Sequence, residues 1–374
     1  MAESVSRVAV YRGPGTIEVE ERPRPAPGPG QVTVEVSHCG ICGSDVHLMR
    51  DGWGPTDVVQ GHEYSGIVAA VGAGVDRWRV GDQVTCGPDP RCGRCEACLA
   101  HQPSQCAEQG APLGSPSDSD ADSSDNGDDG PAPGHGEPGG FGSHLVADAR
   151  SLCAVPDGLD LRAAALAEPL AVALHAVTRS GIRPDETALV FGAGPIGALV
   201  LAVLKARGVT HVGVVEPAPR RQALAARLGP DRVVRPDELP DSSPFLPNVV
   251  VDGAVHVVFE CSGKRPAMEA GLGMLRRGGR LLLVGAGIER PRFDPNRILL
   301  NELTVTGAYC YDENGIDAAL ALLAEDVLPV DVLLEPDDIG LDGVGPALEQ
   351  LAAGEIAGKV LVRPALVPDT EGAR

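Results

Sequence analysis

The spacing of hydrophobic and polar positions along this chain changes near residue 161. Before that point, short apolar runs are separated by turn residues, and valines occupy alternate positions of 31–39. Such alternation is typical of a strand with one buried face. The proline- and glycine-rich segment 22–30 indicates a loop. We predict strands in this part at 7–11, 16–20, 31–39, 66–71 and 83–85.

From residue 161 onward, apolar runs of strand length alternate with segments of helical periodicity. This order is typical of a parallel sheet covered by helices. We predict strands at 187–191, 211–216, 255–259, 280–284 and 303–306, and helices at 195–207, 220–228 and 267–275. The tail adds helices at 315–324 and 344–353 and a strand at 359–362. The sequence therefore predicts an α/β protein with a β-rich domain and a doubly wound parallel-sheet domain.

A glycine-rich turn joins the strand and helix at the start of the parallel region. Gly192, Gly194 and Gly197 form the pattern G-x-G-x-x-G, with Pro195 and Ile196 before the last glycine. In a dinucleotide-binding turn the first glycine allows the tight turn and the second lets the backbone approach a pyrophosphate. The third allows close packing of helix on strand, and the helix N-terminus attracts the phosphates. We predict a dinucleotide site; a purely structural packing turn is the alternative.

The cofactor preference depends on charged residues after the second strand of this region. Glu216 ends that strand, nineteen residues after Gly197. A carboxylate here accepts hydrogen bonds from a ribose 2′-hydroxyl and repels a 2′-phosphate. We therefore predict NAD as the cofactor. Arg220 or Arg221 could reach a phosphate, which leaves NADP possible.

Four cysteines lie close together in the first part of the chain. Cys92, Cys95, Cys98 and Cys106 have the spacing C-x2-C-x2-C-x7-C. Four thiolates at this spacing can surround one tetrahedral Zn²⁺, and such a closed set is structural because no coordination position remains for a substrate. An iron–sulfur site and reactive C-x-x-C thiols are the alternatives. We predict a structural zinc ion.

A second group of metal-binding residue types comes earlier in the chain. The segments CGICGSDVH and GHEYSG provide a thiol, an imidazole and a carboxylate in Cys42, His62 and Glu63. This set suits a catalytic Zn²⁺, which binds three protein groups and keeps a fourth position for water or a substrate oxygen. Cys39 competes with Cys42 as the thiol ligand, and strand alternation does not decide between them.

Composition and charge disfavour several classes of partner. The chain has 31 basic and 52 acidic residues, and its net charge of −21 disfavours nucleic acid and anionic membrane surfaces. The N-terminus has no secretory signal pattern, and the longest apolar run, 188–204, is too short and too rich in glycine to span a bilayer. Four of the ten cysteines fall in one cluster, which favours metal binding in a reducing cytoplasm over disulfides.

The composition changes sharply between Cys106 and Phe141. Residues 111–138 consist mainly of Ser, Asp, Gly and Pro, with almost no residue able to pack into a core. Such a segment seldom buries enough apolar area to become ordered. We predict a disordered acidic insertion that is only a solvated surface loop. A role in binding a partner or in salt adaptation is the alternative.

Taken together, these segments resemble a known enzyme family. The order CGICGSDVH, GHEYSG, four clustered cysteines, EPLAVALHA, GAGPIG, VVFECSG and GKVLV is similar to that of the zinc-containing alcohol, polyol and threonine dehydrogenases of the medium-chain dehydrogenase/reductase superfamily. The resemblance covers nearly the whole chain. It implies that Cys42 and His62 bind the catalytic zinc and that Glu63 or Glu168 supplies the third protein ligand.

The same resemblance implies further roles and an activity. Ser44 and His47 match the proton-relay positions, and Asp45 matches a carboxylate near the zinc. The activity implied is zinc-dependent hydride transfer between an alcohol and NAD, and the EPLAVALHA segment favours a secondary or polyhydroxylated alcohol. We expect a small-molecule alcohol or carbonyl substrate and a homodimer or homotetramer.

The family fold implies how the chain divides into domains. A GroES-like β domain is expected from 1–160 and 308–374, with a Rossmann domain from 161–307 between them. Two other functions fit parts of the sequence: a zinc-free enoyl or quinone reductase of the same fold, and a non-catalytic, zinc-stabilised scaffold that recruits partners. The sequence does not identify the substrate, because the expected pocket residues Trp53 and Tyr309 carry no chemical signature.

Overall fold

The computed structural model of this protein describes most of the chain. It covers residues 5–52, 55–88, 91–107, 139–242 and 245–366. The insertion predicted at 111–138 and the pocket residue Trp53 lie outside these residues. Within the described ranges, no helix is long and apolar enough to cross a membrane.

The first part of the chain consists of short strands with few helices. In chain order its elements are β1 (Val5–Gly13), β2 (Thr16–Pro23), β3 (Gln31–Gly40), α1 (Gly43–Asp51), β4 (Val58–Val59), β5 (Glu63–Val71), β6 (Gln83–Cys86), α2 (Glu96–Leu99), β7 (His144–Asp148), β8 (Leu152–Ala154) and α3 (Leu161–Ala164). All five strands predicted here are present. β5 begins three residues earlier than predicted, so that Glu63 is a strand residue.

The rest of the chain alternates strands and helices. Its elements are α4 (Ala167–Ser180), β9 (Thr187–Phe191), α5 (Pro195–Ala206), β10 (His211–Val215), α6 (Pro219–Arg227), β11 (Arg232–Val234), β12 (Val255–Glu260), α7 (Arg265–Gly273), β13 (Leu275–Leu283), α8 (Pro295–Leu300), β14 (Thr304–Gly307), α9 (Gly315–Ala324), α10 (Val330–Leu333), α11 (Val344–Ala353) and β15 (Leu361–Val362). The predicted strands and helices of this region are present; β9, α9 and α11 have the predicted bounds, and the others have shifted ends.

These elements form two compact units. Taken over the described residues, the first unit comprises Met1–Ala167, Asp337–Ala352 and Val360–Arg374. The second comprises Glu168–Pro336 and Ala353–Lys359. The segment 308–336, which the sequence analysis assigned to the β domain, thus lies in the second unit. A physical reason is that α10 packs against α5 and α6.

Two antiparallel sheets form the first unit. One has the strand order β2-β1-β4; the other has the order β15-β3-β5-β6-β8, with β7 also paired with β3. At the end of β3, Gly40 lies opposite Glu63 of β5 and opposite Leu361 of β15. Val32 and Val34 of β3 are fully buried, as expected for its apolar face. The end of β3 is therefore paired on both sides.

A single parallel sheet forms the centre of the second unit. Its strand order is β11-β10-β9-β12-β13-β14, and each neighbouring pair is parallel. The order reverses between β9 and β12, and α/β sheets bind their ligands at such a switch point. Leu189, Phe191, Val258 and Leu281 belong to its buried core. The predicted doubly wound parallel sheet is confirmed.

Candidate functional site

Glu63 is a fully buried carboxylate at the first position of β5. Gly40 lies directly opposite it on β3. A methyl group added to Gly40 would overlap Glu63 Oε2, so the carboxylate occupies space that any other residue at 40 would fill. The pairing of β3 with β5 therefore creates a small recess that holds this side chain.

Three metal-binding atoms converge between the end of β3 and the start of β5. The ligand atoms of Cys42, His62 and Glu63 all lie within 4.8 Å of one another. Glu63 is buried, whereas Cys42 and His62 are partly exposed. A thiolate, an imidazole and a carboxylate form a donor set of catalytic zinc sites and leave one tetrahedral position open. The three residues, which we call the open donor group, therefore fit a zinc ion.

Asp45 connects two members of the open donor group. This carboxylate is almost fully buried in the first turn of α1. Its Oδ2 accepts a hydrogen bond of 2.9 Å from the backbone N–H of Cys42, and its Oδ1 lies 3.8 Å from Nδ1 of His62. A carboxylate beside the ring of a metal-binding histidine fixes the ring orientation and raises its basicity as a ligand.

The competing thiol, Cys39, lies in the core of the first unit. It is fully buried, and a Cβ added to Gly61 would lie 2.8 Å from its Sγ. Burial, with a further contribution from nearby carboxylates, raises the pKa of the Cys39 thiol well above its ordinary value. The open donor group contains Cys42 instead. Cys39 thus resembles a packed core cysteine, which is a common environment for this residue type.

The predicted relay residues lie on α1. Ser44 Oγ is buried and has no hydrogen-bond partner among the described residues. The Nδ1 atom of His47 lies 2.7 Å from Oδ2 of Asp51, one helical turn further along. Asp51 was not singled out in the sequence, although its spacing of four residues from His47 is the signal for such a contact.

Two further predicted residues lie in the second unit. Glu168 is in the first turn of α4. Tyr309, an expected pocket residue, follows β14 and is 49% exposed. Among the residues of the first unit that the structure describes, Glu63 supplies the carboxylate of the open donor group. A role for Glu168 as a metal ligand stays a prediction.

The four clustered cysteines form a second donor group in the first unit. The Sγ atoms of Cys92, Cys95, Cys98 and Cys106 all lie within 4.8 Å of one another. Cys92 Sγ is 3.8 Å from that of Cys98 and 3.6 Å from that of Cys106. None of the ten cysteines forms a disulfide. Four thiols converging on one point fit a closed tetrahedral zinc site, and we call them the closed donor group.

Backbone N–H groups point at the sulfurs of the closed donor group. Cys95 Sγ accepts hydrogen bonds of 3.5 Å from the N–H groups of Cys98 and Ala107. These two backbone hydrogen bonds are the main reason that the pKa of Cys95 is lowered to about 6. Cys95 N–H itself donates to Cys92 Sγ at 3.4 Å. These backbone hydrogen bonds thus stabilise the thiolate of Cys95, the form that binds metal, whereas burial raises the pKa of Cys98.

The glycine turn between β9 and α5 has the geometry that its sequence predicts. Gly192 has φ +87°, a left-handed conformation that side chains disfavour. Gly194 is the N-cap of α5, with Pro195 in the first turn. A methyl group on Gly197 would overlap the carbonyl oxygen of Gly192, so the helix packs directly on the turn. This strand–turn–helix geometry is the one in which dinucleotide-binding proteins place a helix N-terminus against an anion.

Glu216 is already engaged with the backbone around this turn. It is 2% exposed; its Oε2 accepts from the N–H of Ala193 at 2.6 Å, and its Oε1 accepts from the N–H of Ala218 at 2.8 Å. The sequence analysis expected this carboxylate to face a ribose. In the structure Glu216 ties the glycine turn to the residues after β10, and its role at a ribose stays a prediction.

The two arginines after β10 differ in their surroundings. Arg220 donates to the carbonyl oxygen of Glu355, and Arg221 donates to that of Ile356, each at 2.9 Å. A Cβ added to Gly194 would lie 3.7 Å from Cζ of Arg221. Arg221 therefore lies beside the glycine turn, where its charge attracts an anion.

Another buried carboxylate, that of Glu260, borders the switch point of the parallel sheet. Glu260 ends β12 and is fully buried. It accepts hydrogen bonds from the N–H groups of Ser262 at 2.9 Å and Gly263 at 3.1 Å. Burial raises the pKa of Glu260 above its ordinary value. The sequence segment VVFECSG contains this residue, but its spacing alone did not indicate that it holds the turn after β12.

Two models of known protein families match this chain, one in each half. The model described as an alcohol dehydrogenase GroES-like domain matches residues 28–157. The model described as a zinc-binding dehydrogenase matches residues 195–325. The GroES-like β domain expected from the resemblance is thereby confirmed.

Individual relatives are similar over most of the chain. The 2-dehydro-3-deoxy-L-galactonate 5-dehydrogenase of Pseudoalteromonas atlantica is 33% identical over 84% of this chain and 86% of its own. Sorbitol dehydrogenase of Bacillus subtilis is 30% identical over 92% and 93%. The crystal structure of 2R,3R-butanediol dehydrogenase from B. subtilis matches with a TM-score of 0.79 and 30% identity, covering 96% of this chain and 99% of that one. The chain therefore belongs to the zinc-dependent medium-chain dehydrogenase/reductase family of alcohol and polyol oxidoreductases.

Proposed function

We propose that this protein oxidises a secondary or polyhydroxylated alcohol with NAD, using one catalytic and one structural zinc ion. The observation that carries the proposal is the convergence of Cys42, His62 and Glu63 within 4.8 Å, with one coordination position left open. The closed donor group would hold the structural ion. The polyol and diol dehydrogenases among the relatives support this substrate class.

The open donor group would provide the metal chemistry. When bound there, zinc supplies a Lewis acid that polarises a substrate oxygen and lowers the pKa of its hydroxyl group. The protein supplies three donors in a recess that the backbone of Gly40 leaves free. One carboxylate oxygen of Asp45 accepts a hydrogen bond from the backbone N–H of Cys42, and the other lies beside the ring of His62.

Ser44 and His47 would remove the hydroxyl proton of the substrate. Ser44 Oγ is buried without a hydrogen-bond partner in the described part of the chain, so it is available to a hydroxyl group of a substrate or a ribose. The His47 side chain is 22% exposed, and imidazole is the side chain that most often transfers protons in enzymes, which suits His47 for exchanging that proton with solvent. The hydride leaves from the carbon atom that bears this hydroxyl group.

The second unit would bind the dinucleotide at its glycine turn. A bound nicotinamide supplies the hydride acceptor. The turn residues Gly192, Gly194, Pro195, Ile196 and Gly197 would face the pyrophosphate at the N-terminus of α5, and backbone N–H groups other than that of proline, which has none, would donate to it. We propose NAD as the main cofactor because a carboxylate, Glu216, follows β10. Arg221, beside Gly194, keeps NADP possible.

Assembly and location are part of the same proposal. β14 is the last strand of the parallel sheet, and Leu299 and Leu300 of the preceding helix are 70% and 52% exposed. An exposed sheet edge with nearby apolar side chains favours association with a second copy. We therefore propose a homodimer or homotetramer. None of the ten cysteines is in a disulfide, which favours a reducing compartment such as the cytoplasm.

A substrate panel with zinc analysis tests the proposal. The purified protein would be assayed for reduction of NAD and NADP with primary, secondary and polyhydroxylated alcohols, and its zinc content per chain would be measured. We expect turnover with secondary or polyhydroxylated alcohols, a preference for NAD and zinc at both donor groups. Zinc at the closed donor group alone would contradict the proposal and favour a zinc-free reductase. The absence of turnover with any substrate in either direction would favour a scaffold.

A further inference from the structure

We propose that Asp51 is a positioning residue of the proton relay. In this view Ser44, His47 and Asp51 form one line along α1, and Asp51 orients the ring of His47. The inference rests on the proposed function, because it assigns a partner to the relay histidine. It goes further by naming a residue that sets which nitrogen of that histidine takes up the proton.

The three residues share one face of α1. They are separated by three and four positions. At 3.6 residues per turn, positions with this spacing fall within an arc of about 60° around the helix axis. α1 starts directly after Cys42, a member of the open donor group, so the line begins next to the proposed metal site.

Exposure increases along this line. Ser44 Oγ is buried, the His47 side chain is 22% exposed and the Asp51 side chain is 33% exposed. A proton that moves from Ser44 to His47 therefore moves toward solvent. His47 can pass it to water without crossing the core, since its own ring is accessible.

The helix end is an unfavourable place for an acidic side chain. Asp51 is the last residue of α1, and Gly52 ends the helix in a left-handed conformation with φ +67°. A carboxylate near the negative end of the helix dipole is destabilising. The contact with His47, at 2.7 Å, is a favourable interaction that offsets this cost.

The contact fixes the chemistry of the ring. When Nδ1–H of His47 donates to Asp51, the neutral imidazole keeps its lone pair on Nε2. Nε2 can then accept a proton that has left the substrate hydroxyl through Ser44, whose own hydroxyl is restored. The resulting imidazolium still donates to Asp51 and releases the Nε2 proton to water. No bond is broken other than these O–H and N–H bonds.

An ordinary surface pair would behave differently. A histidine–carboxylate pair four residues apart on a helix stabilises the helix only slightly. If that were its only effect, removing Asp51 would leave turnover unchanged. The chain offers a matched control in His211, whose Nδ1 lies 3.4 Å from Asp231 Oδ2 on an exposed surface of the second unit.

The test combines spectroscopy and kinetics on the zinc-loaded protein. Side-chain ¹⁵N spectra without dinucleotide would report the tautomer of His47, assigned with His47→Gln. We expect the Nδ1–H tautomer in the wild type and its loss in Asp51→Ala. We also expect kcat of Asp51→Ala to fall about tenfold, within the range of general acid–base catalysis, with a larger solvent deuterium effect. Zinc content and the Kd for NAD should stay unchanged, and Asp51→Glu should recover part of kcat.

The outcomes separate this inference from the proposed function. An Nε2–H tautomer of His47 in the wild type, or unchanged kcat in Asp51→Ala, would overturn the inference while leaving the dehydrogenase intact. A loss in Asp231→Ala equal to that in Asp51→Ala would also overturn it. If no alcohol supports turnover in the wild type, the proposed function fails, and the tautomer measurement still decides whether Asp51 orients the ring.

Discussion

The open and closed donor groups lie in the same unit but are built in different ways. All four thiols of the closed group come from fifteen consecutive residues, 92–106, and the backbone N–H groups of Cys95 and Cys98 in the same segment donate to their sulfurs. The open group combines the residue before α1 with two residues at the start of β5, and it depends on Asp45 and Gly40 around it. A local loop can complete a closed tetrahedron, whereas an open position needs donors held by separate elements.

The largest effect on turnover is expected from Cys42→Ser. This change removes one of three donors, and because a catalytic metal lowers the barrier by several kcal/mol, kcat should fall by about 10³-fold or more. Zinc content should fall by half, and the Kd for NAD should change little. Cys39→Ala, which alters only the core thiol, is the control and should keep the full zinc content. If Cys42→Ser kept the zinc content and turnover of the wild type, Cys42 would not be a ligand of a catalytic zinc ion, and the open group would not have the role proposed for it.

A smaller effect is expected from changes at Asp45. Asp45→Ala removes both the hydrogen bond to Cys42 and the carboxylate beside His62. Loss of such a supporting carboxylate weakens metal binding by about 10–100-fold. Asp45→Asn should lie between this variant and the wild type, since the amide oxygen can still accept from Cys42. Competition with a zinc chelator measures the order, and equal affinities in all three proteins would contradict it.

Gly40→Ala tests the recess that holds Glu63. The added methyl group would overlap Glu63 Oε2, so the carboxylate has to move, at a cost of about 1–3 kcal/mol for overpacking. We expect lower stability and weaker zinc binding at the open group only. Gly43→Ala is the matched control, because a methyl group there meets nothing within 4 Å. Chemical denaturation and zinc titration of both variants give the comparison; similar losses in both would argue against the recess.

The smallest effect on turnover is expected from Cys98→Ser in the closed group. Zinc content should again fall by half, but the ion lost is the structural one. The segment around 92–106 should become sensitive to proteases, and Tm should fall, since structural zinc contributes directly to folding. Turnover of the protein that remains folded should stay within about threefold of wild type, because this closed group offers no position to substrate. A loss as large as that in Cys42→Ser would remove the distinction between the groups.

Features contained in one short segment could be predicted from the sequence. The glycine turn and the closed donor group each lie within about fifteen residues, so that spacing alone defines their geometry. The alternation in 31–39 likewise identified β3 and its buried face. Local sequence controls these features because the interacting groups are linked by a few backbone torsions.

Features that depend on pairing between distant segments could not be predicted in this way. The choice between Cys39 and Cys42 depends on where β3 ends and α1 begins. The recess for Glu63 depends on the register between β3 and β5. The contact of Asp51 with His47 was not predicted because α1 itself was not predicted. Without a helix, a spacing of four residues does not indicate that two side chains are neighbours.

The pairing of β15 with β3 has a consequence for synthesis on the ribosome. Leu361 and Val362 pair with Gly40 and Cys39, and Ile41 N–H donates to the carbonyl oxygen of Val360. These partners are translated only after the whole of the second unit. The 39–40 edge of β3 therefore stays without this partner while the second unit is synthesised, and the strand that borders the open donor group gains its last neighbour only once residues 360–362 have been made.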